Sequence, residues 1–337
     1  MKQAVNFLVF LILAAVLVLL PGLQQSSHAG GGRQYPNGAE AFMVGAMPPP
    51  GITMINYAYY GHADTVKDND GDDNDLFDNG DIYADIIRII WISKMKVLGA
   101  NYGQHFFFGV LGADLDFNSP VGSELKSSYS DFNLLYGIWS PVLLGWHLME
   151  GRLHVATSLC DIYIPFYNED DGNLASAGRN FWTFEPVLAI TYLPTPTTEF
   201  SIKFMYDFNT KQDDYEPGPP ASVDRTPGQE FHFDFNAAYA VTDNLKIGIN
   251  GYYYQQTTDD DYDDIHYSDK VPPVAHAAIK EALDKEERHI TRAIGLGPGI
   301  MYMHNRNFMA TLRYQEELAV RNKADMRQVW FKLIYIF

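Results

Sequence analysis

Between Glu199 and Phe208 every second residue is large and apolar. Phe200, Ile202, Phe204, Tyr206 and Phe208 share one face, and Ser201, Lys203, Met205 and Asp207 share the other. A period of two is the geometry of a strand with one greasy face. The same alternation runs through Trp182 to Tyr192, Phe231 to Tyr239 and Leu245 to Tyr253. It returns at the end of the chain, where Val329, Phe331, Leu333, Tyr335 and Phe337 are apolar at every second position. The pattern predicts twelve strands, near residues 51–60, 81–93, 103–113, 131–145, 151–163, 181–193, 199–208, 230–241, 244–256, 289–303, 307–319 and 327–337. Several reach about ten residues, the length at which a tilted strand crosses a bilayer.

The connections alternate in length. Short ones fall at 94–102, 146–150, 194–198, 242–243 and 304–306; longer ones fall at 61–80, 114–130, 164–180, 209–229, 257–288 and 320–326. An even strand number with short turns on one side and long loops on the other is the plan of an outer-membrane barrel. The expected fold class is therefore all-β: an antiparallel transmembrane β-barrel of about twelve strands, with short periplasmic turns and long outer loops. A secreted β-sandwich accounts for the alternation but not for the loop pattern. The last strand has to pair with the first, because an unpaired edge is not tolerated in lipid. Phe337 then falls in the periplasmic aromatic girdle. It ends a strand that resembles the signal by which barrel-assembly machinery recognises its clients.

The start of the chain breaks the pattern. Lys2 precedes a nearly unbroken apolar run from Phe7 to Leu20, followed by Pro21, Gly22 and the small-residue step Ser27-His28-Ala29. That is the layout of a secretory signal peptide cut after Ala29. The expected division is a signal peptide at 1–29, a periplasmic or lumenal N-terminal segment at 30–50, and a barrel at 51–337 in the outer membrane of a Gram-negative cell.

Composition narrows the function classes. The 337 residues are 47% hydrophobic and 14% aromatic, yet mean hydropathy is only -0.18. Such a chain is not a bundle of membrane helices, each of which needs about 20 consecutive apolar residues. A net charge of -18 speaks against a nucleic-acid partner, which requires clustered Lys and Arg. Cys160 is the single cysteine, so no internal disulfide forms.

Three stretches carry a family resemblance: Tyr35 to Gly51, which contains Pro48-Pro49-Pro50; Gly297-Pro298-Gly299; and Arg313-Tyr314-Gln315-Glu316 with Arg321-Asn322 and Trp330 to Phe337. Together they resemble the family of proteins of the MetA pathway of phenol degradation, outer-membrane transporters, from about residue 35 to the end. The resemblance implies a Gram-negative barrel that admits aromatic or other hydrophobic compounds. It brings no catalytic motif.

If the aromatic faces look at lipid, the lumen receives Glu185, Lys203, Asp207, His232, Asp234, Asn236, Lys246, Asn250, Arg313 and Lys332. Both signs of charge are present. A polar path for small solutes and a salt-bridge network filling the barrel both satisfy this lining. Gly295, Gly297 and Gly299 share one strand face, where glycine often marks close approach of another chain segment. The expected visitor is Tyr35 to Pro50, whose stiff Pro48-Pro49-Pro50 run suits a plug in the periplasmic mouth; a periplasmic tail is the other reading.

Asp68, Asp70 and Asp72 lie in an acidic loop that offers a weak calcium site but fails the EF-hand spacing. Val274 to Glu287 reads as a short helix over the outer mouth, with Ile279, Ala282 and Leu283 as its stripe. His154 and Ser158 stand four residues apart on one strand face, about 13 Å, too far for a nucleophile and its base. His62, His105 and His147 have no partner that sequence spacing identifies. Neither catalysis nor a cofactor is expected. The expected function is passive uptake of small hydrophobic or aromatic compounds, and the alternative is a closed barrel with a structural or adhesin-like role. Its partners would be membrane lipid, lipopolysaccharide, the assembly machinery and the solute.

Overall fold

A computed structural model describes residues 35–75, 77–118, 127–166, 175–176, 180–218, 221–267, 273, 276–286 and 290–337. The expected signal peptide, residues 1–29, lies outside these residues. The strands in chain order are β1 (Gly51–Lys67), β2 (Phe77–Val97), β3 (Ala100–Phe117), β4 (Ser128–Leu134), β5 (Gly137–Leu148), β6 (Leu153–Ile164), β7 (Thr183–Thr195), β8 (Thr198–Asn209), β9 (Gln212–Gly218), β10 (Ala221–Thr226), β11 (Glu230–Thr242), β12 (Leu245–Gln256), β13 (Asp261–Tyr267), β14 (Arg292–Met303), β15 (Phe308–Glu317) and β16 (Lys323–Ile336).

The barrel wall is antiparallel and closed. β1 pairs with β16 from Thr53↔Ile336 to Lys67↔Lys323, and with β2 on its other side. β4 and β5 lie end to end against β3 and fill one position, so the described residues make a twelve-strand barrel. All twelve expected segments are strands. Residues 135–136, inside the expected segment 131–145, interrupt the ladder. Phe337 N–H donates to Ile52 C=O at 3.0 Å, which extends the seam to the last residue.

Alternation places the lipid surface. Ile52, Met54, Ile89, Phe200, Ile247, Ile249, Leu312 and Phe331 are exposed, with Tyr60, Trp91, Trp139, Trp182, Tyr192, Tyr302 and Tyr335 among them. An exposed apolar band of this extent fits hydrocarbon and interface rather than water.

The long-loop end carries more structure than expected. β9, β10 and β13 form a separate three-stranded sheet from connections read as plain loops. Their polar, acidic sequences lack the apolar period because they face no lipid. The helix α1 spans His276–Glu286, inside the expected 274–287, with Leu283 buried. The Ile279 and Ala282 side chains lie outside the described set.

Candidate functional site

The site is the barrel interior together with the chain segment that enters it. Residues 35–50 form no strand; they fold through two tight turns, Ala39 N–H to Pro36 C=O at 3.1 Å and Ala46 N–H to Met43 C=O at 2.9 Å. Tyr35, Asn37, Ala39, Glu40, Ala41, Phe42 and Met47 are all buried. Each turn of the segment is held by a different part of the wall.

Asp234 of β11 is the first anchor. It accepts from Tyr35 OH at 2.7 Å, Gly38 N–H at 2.9 Å and Glu40 N–H at 3.0 Å. On the opposite side Arg313 donates to the carbonyls of Gly38 and Ala39. Gln328 donates to Asn37 C=O at 3.2 Å. Further along, Glu199 accepts from Met43 N–H at 2.6 Å and from Lys246 Nζ at 2.6 Å. Thr191 Oγ1 accepts from Gly45 N–H at 3.0 Å. These bonds satisfy backbone groups that form no ladder.

Glu40 is the hub. It accepts from Lys332 Nζ at 2.7 Å, Arg88 Nη1 at 3.0 Å and Tyr57 OH at 2.7 Å. Burial alone would push its carboxyl up; Lys332, Arg88 and Lys203 outweigh that and hold it well below the usual carboxylate range. Glycine is required where the segment touches the wall. Gly38 has φ +82°, and a Cβ there would fall 2.1 Å from Gln315 Oε1; a Cβ on Gly45 would fall 2.5 Å from Thr191 N.

Of the expected lumenal residues, Glu185, Asp207, His232, Asp234, Asn236, Asn250, Arg313 and Lys332 are buried in the interior, and Lys203 and Lys246 are half-buried. Asp234, Arg313, Lys332, Lys246 and Lys203 meet the segment or its partners; the Lys203 ammonium lies 4.2 Å from the centre of the Tyr35 ring. Glu40, Arg88, Glu199 and Trp330 complete the arrangement and were missed. Glu40 lies outside any strand, and Trp330 is an inward aromatic on a strand whose other face is the apolar one, so alternation gave no sign of them.

Other expectations need correction. Gly299 does approach the segment, since a Cβ there would lie 3.3 Å from Phe42. Gly295 instead clears the Tyr252 ring of β12, and Gly297 clears the Tyr314 backbone of β15. The proline run is not the close-packed part: Pro49 and Pro50 are exposed and Pro48 half-buried, where the chain leaves the lumen for β1. Asp68, Asp70 and Asp72 do not converge. The Asp68 carboxylate accepts from the N–H groups of Asp70 and Asp72, each at 2.9 Å, and so shapes its own turn. The three histidines all have partners: His62 meets Asp81 and Asp64, His105 meets Arg88 and Asp161, and His147 meets His154. These contacts run within or across strands, invisible to linear spacing. Ser158 pairs with Ser140 at 2.6 Å, not with His154.

The segment divides the interior space. On its outer side lies a cavity of about 320 Å³. Its wall is mainly apolar, with Ile82, Ala84 and Ile86 of β2, Leu111, Ala113 and Leu115 of β3, and Met326 and Trp330 of β16; Tyr59, Tyr136, Ser176 and Gln328 also reach it, and Tyr35, Pro36 and Asn37 form its floor. On the periplasmic side lies one of about 170 Å³ against Glu40, Phe42 and Met47. A third, about 40 Å³, runs from Tyr35 and Trp330 to Phe108, Gly109, Leu135 and Tyr136. There β3 passes from pairing with β4 to pairing with β5; Leu135 N–H to Gly109 C=O, 2.9 Å, bridges the change.

This geometry defines a membrane-spanning β-barrel whose lumen is occupied by its own N-terminal segment. The chain belongs to the family described as "Putative MetA-pathway of phenol degradation", whose model matches residues 63–333. No curated protein sequence matches it. Among solved structures it is similar to the COG4313 outer membrane channel from Pseudomonas putida F1, at TM-score 0.64 and 13% identity, covering 86% of this chain and 97% of that one. That likeness is one of fold. The β domain of the Bordetella autotransporter BrkA gives 0.46 at 10% identity, covering 86% and 100%. A mutant of the TodX monoaromatic hydrocarbon channel gives 0.45 at 9% identity, covering 92% and 95%.

Proposed function

We propose that the protein is a plugged outer-membrane channel for passive entry of small hydrophobic compounds, aromatic ones above all. The observation that carries this reading is the outer cavity. Its aliphatic wall and its volume of about 320 Å³ suit a one-ring compound, and fall at the lower end of ligand pockets generally, about 300–1,000 Å³. The family's description, phenol degradation, agrees with that chemistry. A solute would enter past the outer loops, rest on Tyr35 and Pro36, and leave by displacement of residues 35–50 or sideways past Phe108 and Tyr136 into lipid. On this reading residues 1–29 direct export, lipid and lipopolysaccharide surround the wall, and the strand ending at Phe337 is offered to the assembly machinery.

Single-channel conductance of refolded protein, with and without residues 30–50, tests it. Steps only after deletion support a plug and a gated or lateral route. Steps from the full chain support an open aqueous path past the segment. The rival reading is a closed surface barrel, favoured by the triple engagement of Glu40; silence from both forms, with the barrel folded, would select it.

A further inference from the structure

Above Tyr35, near the outer ends of three neighbouring wall strands, three inward side chains converge: Glu185 of β7, Asp207 of β8 and His232 of β11. All are buried. His232 Nε2 lies 3.5 Å from Glu185 Oε2 and 3.4 Å from Asp207 Oδ2. Glu185 Oε1 and both carboxylate oxygens of Asp207 are enclosed with no N–H or hydroxyl donor in hydrogen-bonding geometry among the described residues; the other groups within reach of Asp207 are carboxyls, Glu185 and Glu230. We propose that this trio binds a divalent transition-metal ion, with Zn²⁺ as its representative.

Charge and distance both lead there. Two buried carboxylates, with the buried Glu230 in register opposite Asp207, share one imidazole and the ammonium of Lys203. Lys203 also lies over the Tyr35 ring, and its β11 register partner is the buried Asp234, so the carboxylates still outnumber the cations. An excess of buried negative charge has to be neutralised by protons or by a cation. Ion pairs between imidazolium and carboxylate close to about 2.7–2.9 Å. The observed spacings are longer, and match the edge of a tetrahedron of ligands held about 2.0–2.1 Å from a central ion, which is about 3.3 Å. Mixed imidazole and carboxylate donors suit zinc and its neighbours rather than calcium or magnesium. A supporting shell is present: Tyr163 OH donates to Glu185 Oε2 at 2.9 Å, and the Tyr35 ring packs on His232 at 5.0 Å between centroids. An ion there would tie β7, β8 and β11 together directly above the floor of the outer cavity.

The test is zinc retention by untagged full-length protein refolded with Zn²⁺ and then desalted, with Co²⁺ substitution read by its visible absorption. One equivalent per chain is expected, with d–d bands of a low-symmetry site for cobalt. Asp207→Asn and His232→Ala should each abolish retention, and Tyr163→Phe, which keeps all three ligands, should weaken affinity by about ten-fold. An exposed trio, Asp214, Asp224 and His266, provides the control. Retention lost in His266→Ala but kept in His232→Ala would overturn the proposal. If the ligand variants fail to refold, the unmodified chain decides: no retained zinc and no cobalt bands would equally overturn it.

Discussion

Lys332 Nζ lies 2.7 Å from Glu40 Oε2, joining the final wall strand to a segment 292 residues earlier in the chain. Lys332 and Arg88 approach the same carboxylate from β16 and β2, so both ammonium and guanidinium charges depend on Glu40 for neutralisation. Removing one partner of a buried ion pair costs about 3–5 kcal/mol, because the other charge stays buried. Glu40→Gln should therefore free residues 35–50 and raise the rate of protease cleavage before Pro48 from the periplasmic side. Adding Lys332→Met should recover part of the loss, since the orphaned charge is gone. An unchanged cleavage rate in Glu40→Gln would show that the ion pairs do not hold the segment.

The outer cavity makes a separate prediction. Ala113 faces it from β3 beside Leu111 and Leu115. Ala113→Trp should fill the space a solute ring would use, at a stability cost below the 1–3 kcal/mol usual for overpacking, because the cavity accepts the new ring. Uptake of labelled monoaromatic compound into intact cells should fall by about ten-fold or more, with the barrel folded normally. Undiminished uptake would move the solute path away from the aliphatic wall.

Much of this was legible from alternation, because a lipid-facing strand has to be apolar at every second residue and that constraint is written into Phe200 to Phe208 as plainly as into Val329 to Phe337. The ten polar positions on the opposite faces follow from the same rule, which is why Glu185, Asp234 and Arg313 could be placed inside. The pairing of Glu40 with Lys332 could not be read, since it depends on where an irregular segment stops inside the lumen. Alternation is weaker in β2 and β3, where Ile86 and Leu111 point inward and the strands are apolar on both faces, and it hides the one inward aromatic of β16, Trp330, between Gln328 and Lys332. That pattern marks the aliphatic cavity. Gly295 shows the limit of glycine spacing: the room it makes is taken by Tyr252 on the adjacent strand, an equally common use.

Gly45 lies flat on β7, and a side chain there would meet backbone rather than a movable side chain. Gly45→Val should prevent the segment from seating and reproduce the conductance of the 30–50 deletion. Pro50→Ala, at an exposed position, should leave conductance as in the unmodified protein. Equal conductance from Gly45→Val and the unmodified chain would show that the contact with Thr191 is not needed for closure.

The Glu40 carboxyl also sets how closure responds to acid. Its value in the folded protein lies below that of an unfolded glutamate, about 4.3. Its contribution is therefore fully present above the unfolded value and is lost as pH falls through the lower folded one. From pH 8 down to about 5 the unmodified segment should stay seated, with cleavage before Pro48 equally slow throughout. Glu40→Gln should be cleaved faster across that range, and the gap between the two proteins should narrow only below about pH 4, where the carboxyl of the released segment takes up a proton while the seated one is still charged. A gap that closes between pH 7 and 5 would assign the control of seating to a group that titrates there, not to Glu40.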